Sequence, residues 1–177
     1  MLPNVLQYPV AMIGALRAGL VVVNTNPLYT PDELRHQMND SGAMAIVVLE
    51  NFCHVVQQVV AETSLKHVVV ATVGDMLPTV KGTIVNFVLR HVQKKVPAWN
   101  IPGARTFASV MSESKGMRPI PVALTHDDLA FLQYTGGTTG VAKGAMLSHG
   151  NVVANVLQSH AWFEQVKLDN ATYYIAL

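Results

Sequence analysis

The chain has 177 residues, half of them hydrophobic and 13% charged, with a formal net charge of +1 at pH 7. That length allows one domain with a sizeable core, the composition excludes a disordered chain, and the charge balance gives no bulk reason to expect a nucleic-acid partner. Cys53 is the single cysteine, which rules out an internal disulfide and a cysteine-based zinc site and makes a reducing, cytoplasmic setting the default.

From Met1 to Val23 the sequence is apolar, yet Asn4, Gln7, Pro9 and Arg17 interrupt it. A spanning helix needs about 20 predominantly apolar residues, and a signal peptide needs positive charge ahead of its apolar core. Neither condition is met. The segment reads as a buried helix from Asn4 to Arg17, stopped by Gly19 and followed by a strand over Leu20–Val23. Thr30-Pro-Asp-Glu33 is a helix start with Thr30 as N-cap, Pro31 at the first helical position and Glu33 closing a capping box. That helix should reach about Ser41, with Gly42 as left-handed cap. Ala45–Leu49 is then predicted as a buried strand, Phe52–Glu62 as a helix, and His67–Val73 as a second buried strand. Continuous apolar runs between helical patterns imply an α/β fold, with mostly parallel sheets flanked by helices.

From Thr79 to Lys95, Val80, Ile84, Val85, Val88 and Val92 recur at helical spacing, with Lys81, Arg90, Lys94 and Lys95 among them. One reading is an amphipathic helix packed on the core with a solvated basic face; the other is a surface helix touching anionic lipid headgroups. Pro97, Pro102, Gly103, Gly116, Pro119 and Pro121 mark a connector with little regular structure. The chain thus divides into an α/β subregion (1–78), a helix and irregular connector (79–124), and a strand, loop, strand, helix and strand (125–177).

Leu129–Tyr134 is predicted as a strand leading into "YTGGTTGVAKG", Tyr134 to Gly144, and Val141–Leu147 as the return strand. Ser148 to Asn151 offer N-caps for a helix through Phe163. Glycines in the loop let backbone N–H groups approach a ligand, threonine hydroxyls add donors and acceptors, and Lys143 adds a point charge. The ligand that suits this set is a polyphosphate. The loop is neither of two familiar phosphate loops. Lys143 follows Ala142 and precedes Gly144, so it is not a Gly-Lys-Ser/Thr motif, and the glycine spacing does not fit a dinucleotide fingerprint. A plain Gly/Thr hairpin turn that binds nothing is the competing reading.

The stretch from Tyr134 to Gly144, with Ala145-Met-Leu-Ser-His149 after it, closely resembles the AMP-binding signature of the acyl-adenylate-forming superfamily. Asn4 to Ala43 and Val85 to Trp99 also resemble its bacterial long-chain fatty-acid–CoA ligase subgroup. Ala142 stands where the superfamily most often has proline, but alanine is usual in this subgroup. The resemblance implies two-step chemistry: a fatty-acid carboxylate attacks the α-phosphate of Mg·ATP, and coenzyme A then displaces AMP. It implies that Thr135, Gly136, Gly137, Thr138, Thr139 and Gly140 wrap the β- and γ-phosphates, with Tyr134 and Gly144 flanking them. Lys143, the one catalytic candidate, would steady the loop or the leaving pyrophosphate. Loop closure over ATP and reopening for pyrophosphate release would follow.

The resemblance also implies that the chain is part of a large N-terminal AMP-binding domain. The adenine- and ribose-binding motifs, a glutamate helping to hold Mg2+ and the C-terminal domain are absent from it. The expectation is that the isolated polypeptide makes no acyl-CoA and that unpaired strand edges favour its association. The implied partners are fatty acid, ATP and CoA, with a homodimer of the parent protein and peripheral contact at the inner face of the cytoplasmic membrane as further expectations. Rival functions are a catalytically silent nucleotide- or partner-binding module and an adenylating enzyme for another carboxylic acid.

The seven histidines show no metal-ligand spacing, and no metal site is expected on this chain. Ser148 should cap a helix rather than serve as a nucleophile, Asp127-Asp128 should form a turn, and Trp99 and Trp162 should be packing residues.

Overall fold

The computed structural model describes residues 1–135 and 142–164, with only the backbone at Phe163 and Glu164. Two three-stranded sheets organise these residues. In one, β2 (Ala45–Leu49), β3 (His67–Ala71) and β4 (Arg105–Thr106) run parallel in that order. In the other, β1 (Val22–Asn24) lies parallel to β5 (Leu129–Thr135), and β6 (Lys143–Ser148) returns antiparallel to β5. The fold is α/β with mostly parallel pairing.

The apolar runs Ala45–Leu49 and His67–Ala71 alternate between the two faces of their sheet. Ile46, Val48, Val68 and Val70 join a core with Leu34 and Met38 of α2 (Pro31–Ser41) and Cys53, Val56 and Val59 of α3 (Cys53–Val59). Leu49 and Ala71 pack on the opposite face with Phe107 of α5 (Phe107–Glu113), joined by Val10 of α1 (Gln7–Arg17). Both faces of these strands are covered, which is why neither run shows a polar alternation.

Local signals set several boundaries as the sequence dictates. The Thr30 hydroxyl accepts from the Glu33 N–H while Glu33 takes the Thr30 N–H, and Gly42 closes α2 at φ 65°. Gly19, at φ 72°, ends α1. Other boundaries move. The first helix starts at Gln7, not Asn4, and it is not buried throughout: Gln7 is enclosed while Ile13 is exposed. Pro9 explains the late start, since its missing N–H is tolerated only in a first turn. The first strand begins at Val22 rather than Leu20. The predicted helix over Phe52–Glu62 is α3 between two 3-10 turns, Glu50–Phe52 and Val60–Glu62. The strand from His67 stops at Ala71 because Thr72 and Asp75 close a capping box that turns the chain.

Three further differences from the sequence reading lie at the surface. The connector is not irregular throughout, for it contains β4 and α5, the latter capped by Thr106, whose hydroxyl accepts from the Ser109 N–H at 3.1 Å. The helix predicted over Thr79–Lys95 exists as α4 (Thr79–Phe87) continued by a π-helical turn, Val88–Val92, but its apolar stripe is only partly packed: Val85 and Val88 are half-buried, whereas Val80, Ile84 and Val92 are exposed. Trp99 packs on the core, whereas Trp162, at 70% exposure on α6 (His149–Glu164), does not. Ser148 and Asn151 cap α6 reciprocally, each side chain accepting the other's backbone N–H at 3.2 and 3.0 Å. Asp127-Asp128 lies in a turn closed by the Asp128 carboxylate on the Thr125 N–H and hydroxyl, bonds that hold this carboxyl below its ordinary range. Among the described residues no helix is long and apolar enough to cross a membrane.

Candidate functional site

The loop of Tyr134 to Gly144 joins β5 to β6. Its central residues Gly136, Gly137, Thr138, Thr139 and Gly140, with Val141, lie outside the described residues, and its two ends are described. Thr135 stands opposite Lys143 and Tyr134 opposite Gly144. The antiparallel register therefore brings a threonine hydroxyl and a lysine ammonium to the mouth of one hairpin, both exposed. Among the described residues the return strand starts at Lys143, with Ala142 outside it; Val141, where its sequence reading begins, lies outside the described residues. Lys143 has no ion-pair partner among the described residues. The ends present a cation and a hydroxyl to solvent, a donor set that fits an anionic ligand.

Tyr134 holds the hairpin from below. Tyr134 is 8% exposed, and its ring lies across Gly144, where a β-carbon would come to 3.0 Å from the ring. A glycine at this position is therefore favoured, because any β-carbon would push the tyrosine ring aside by a few tenths of an ångström. The Tyr134 hydroxyl donates to Asp40 Oδ2, and burial together with this carboxylate pushes the phenol up to about 12. One helical turn before Asp40, His36 places Nε2 3.3 Å from the Ala142 carbonyl. Helix α2 thus touches both flanks of the loop, at Tyr134 through Asp40 and at Ala142 through His36. In between, the Gln37 amide donates to the Asn24 carbonyl at 3.0 Å. Asn24 in turn donates to Gln133 and accepts from Tyr8, both at 3.0 Å, tying β1, β5 and α1 into one polar chain. Beside it lies a cavity of about 1070 Å3, with Tyr8, Met12, Asn24, Leu132, Gln133 and Tyr134 among its walls.

Sequence reasoning placed the loop but missed His36 and Asp40. The only signal was two polar residues four apart on α2, flanking Gln37, and nothing local links them to residues about a hundred positions on. Among the described residues no three His, Cys, Asp or Glu side chains are grouped to hold a metal.

A model of the family described as "AMP-binding enzyme" matches residues 1–177. A long-chain-fatty-acid–CoA ligase of Escherichia coli O6:H1 is 54% identical over 163 residues, covering 92% of this chain and 29% of the relative. One from Haemophilus influenzae is 55% identical over 159 residues, covering 90% and 28%. The crystal structure of a long-chain-fatty-acid-CoA ligase from Archaeoglobus fulgidus has a TM-score of 0.63 and 28% identity, covering 89% of this chain and 26% of that one. The chain spans less than a third of the length of these relatives. The family match over every residue, the identity with two relatives and the common fold agree that this chain belongs to the AMP-binding enzyme family.

Proposed function

We propose that the chain supplies the polyphosphate-binding part of an ATP-dependent long-chain fatty-acid–CoA ligase. In the first step a fatty-acid carboxylate oxygen attacks the α-phosphorus of ATP and pyrophosphate leaves. In the second, the coenzyme A thiol attacks the acyl carbonyl, loses its proton, and AMP leaves. Thr135, Gly136, Gly137, Thr138, Thr139 and Gly140 hold the β- and γ-phosphates, flanked by Tyr134 and Gly144. Lys143 offsets the charge that collects on the departing pyrophosphate. Mg2+ accompanies the nucleotide. The single observation that carries this reading is the hairpin register, which sets exposed Lys143 opposite exposed Thr135 at the mouth of a Gly/Thr loop. The similarity to long-chain-fatty-acid–CoA ligases supports the substrate class.

The same reading takes residues 1–78, 79–124 and 125–177 as subregions of one N-terminal AMP-binding domain. It takes the parent protein as a cytoplasmic homodimer with peripheral contact at the inner face of the cytoplasmic membrane. Calorimetric titration of the purified chain with Mg·ATP, beside Lys143→Ala and Gly137→Val, tests the loop. Binding is expected, and both variants should lose it. Equal binding by all three would overturn the assignment of the loop as the phosphate cradle.

A further inference from the structure

Helix α4 and its π-helical continuation dock on the protein the wrong way round for an ordinary surface helix. The directed contacts of the inward side are polar or bare, with Val85, Val88 and Leu89 half-buried beside them. Gly82 is buried, and a β-carbon there would come within 2.5 Å of the Gly74 carbonyl. Asn86 accepts from the Gly74 N–H and donates to the Thr72 hydroxyl, both at 2.9 Å. Arg90 donates twice to Glu50 Oε2, at 2.9 and 2.6 Å, and Glu50 is 2% exposed. Residues 82, 86 and 90, each four apart, form the side that meets the fold.

The outward side is apolar. Val80, Ile84, Phe87 and Val92 are 73, 57, 58 and 65% exposed. The first three follow helical spacing. The π turn, bonding residues five apart, brings Val92 back toward the side of Phe87, and the His91 ring sits 4.9 Å from that of Phe87. Polar contacts made inward, which leave only Glu50 Oε1 of the groups named here without a partner, and four large apolar side chains left outward imply that something else covers the outer face.

Charge identifies the cover. From Met76 to Ser112 the sequence has no acidic residue but carries Lys81, Arg90, Lys94, Lys95 and Arg105. Arg90 pairs with Glu50 and Arg105 with Glu113, while the exposed Lys81, Lys94 and Lys95 have no ion-pair partner among the described residues. A second copy of the same face would meet it with like charge. The end of the segment adds an independent observation. Lys94 adopts φ 49°, the left-handed conformation in which glycine is the ordinary choice and a residue with a β-carbon is strained. It closes the segment, with Lys95 N–H donating to the Leu89 carbonyl and Asn51 donating to the Lys95 carbonyl, both at 2.9 Å. A lysine held where glycine would cost less marks the side chain itself as useful.

We infer that the outer face of α4 and the π turn lies on an anionic phospholipid bilayer. Val80, Ile84, Phe87 and Val92 enter the headgroup boundary, and Lys81, Lys94 and Lys95 meet the phosphates. This deepens the membrane contact of the proposed function and rests on it only in that respect. Vesicle binding is read without catalysis, so it can fail while ATP binding at Lys143 stands, and the reverse.

The test is flotation of the purified protein with phosphatidylglycerol vesicles and with phosphatidylcholine vesicles. Binding to the anionic vesicles alone is expected, weakening as salt rises. Lys94→Gln with Lys95→Gln should weaken it about 30-fold, at about fivefold per lysine. Lys94→Gly separates the inference from misfolding. It should raise the melting temperature by about 2–4 °C, by relieving the left-handed strain, while weakening vesicle binding about fivefold. Equal flotation with both lipids, no flotation, or undiminished binding by Lys94→Gly would overturn the inference. So would a Phe87→Trp variant whose difference emission is already blue-shifted before vesicles are added, because another part of the polypeptide would then cover the face. A shift seen only with anionic vesicles supports it.

Discussion

Strands β3 and β5 are the central strands of their sheets, and they are held in different ways. β3 is sandwiched: Val68 and Val70 face the core under α2 and α3, and Ala71 faces Phe107 of α5. In β5 only Ala130 and Tyr134 are buried, and its neighbour β6 buries no residue, with Met146 at 71% exposure. The hairpin that carries the candidate phosphate loop is thus positioned by a few directed contacts: Asp40 on Tyr134, His36 at Ala142, Asn24 on Gln133. Apolar burial is non-directional and resists large changes, whereas point contacts define a geometry and release it at little cost. The proposed role of the loop, to admit and discharge a ligand, suits the second kind of support.

Breaking the sandwiched half should have the larger consequence. Leu34 on α2 is fully buried among Val48, Val56 and Val70, and Leu34→Ala should cost about 2–5 kcal/mol through lost transfer and the cavity left behind. Urea denaturation followed by far-ultraviolet circular dichroism measures it. Because α2 also carries His36 and Asp40, the hairpin should loosen with the core. A loss below about 0.5 kcal/mol would mean that the core is not the main source of stability.

Tyr134→Phe acts on the hairpin alone. It removes the hydrogen bond to Asp40, whose side chain reaches solvent, so the loss should be about 1 kcal/mol. Amide exchange should quicken in β5 and β6 and stay unchanged in β2 and β3; uniform quickening would contradict the division between the two halves. The same contact gives a pH signature. The Tyr134 phenol is raised above its unfolded value of 10.0 to about 12, so its contribution is complete below pH 10 and is lost as pH rises from there through about 12. Ultraviolet titration should show one tyrosine ionising late, and that late step should vanish in Tyr134→Phe.

What the sequence disclosed follows the range of the interactions. Thr30 with Glu33, Gly19, Gly42 and Ser148 act within a few residues, and each stands where its type and spacing placed it. The Gly/Thr/Lys loop was legible for the same reason, as a local pattern between two strands. β4 was not, because its two residues become a strand only by pairing with Val69 and Val70. The orientation of α4 was also hidden. Its apolar stripe was plain, but the side turned inward is set by Asn86 and Arg90 reaching Thr72, Gly74 and Glu50, the last across 40 positions. The support of the loop by α2 joins residues 94 apart at Asp40 and Tyr134, beyond any window of periodicity.

Cys53 gives the mildest test, since the reporting thiol itself is left unsubstituted. The thiol is enclosed in the core beneath β2, and burial, then the nearby charge of Glu50, push it up to about 12. At pH 8 it should be neutral and out of reach of a thiol reagent, so labelling should proceed only as fast as the β2 and β3 half opens. Leu34→Ala should therefore speed labelling by the factor that its loss of stability dictates, whereas Tyr134→Phe should leave the rate unchanged. If Tyr134→Phe also speeds it, the hairpin and the core open as one unit, and the point contacts through α2 couple the candidate site to the whole fold rather than isolating it.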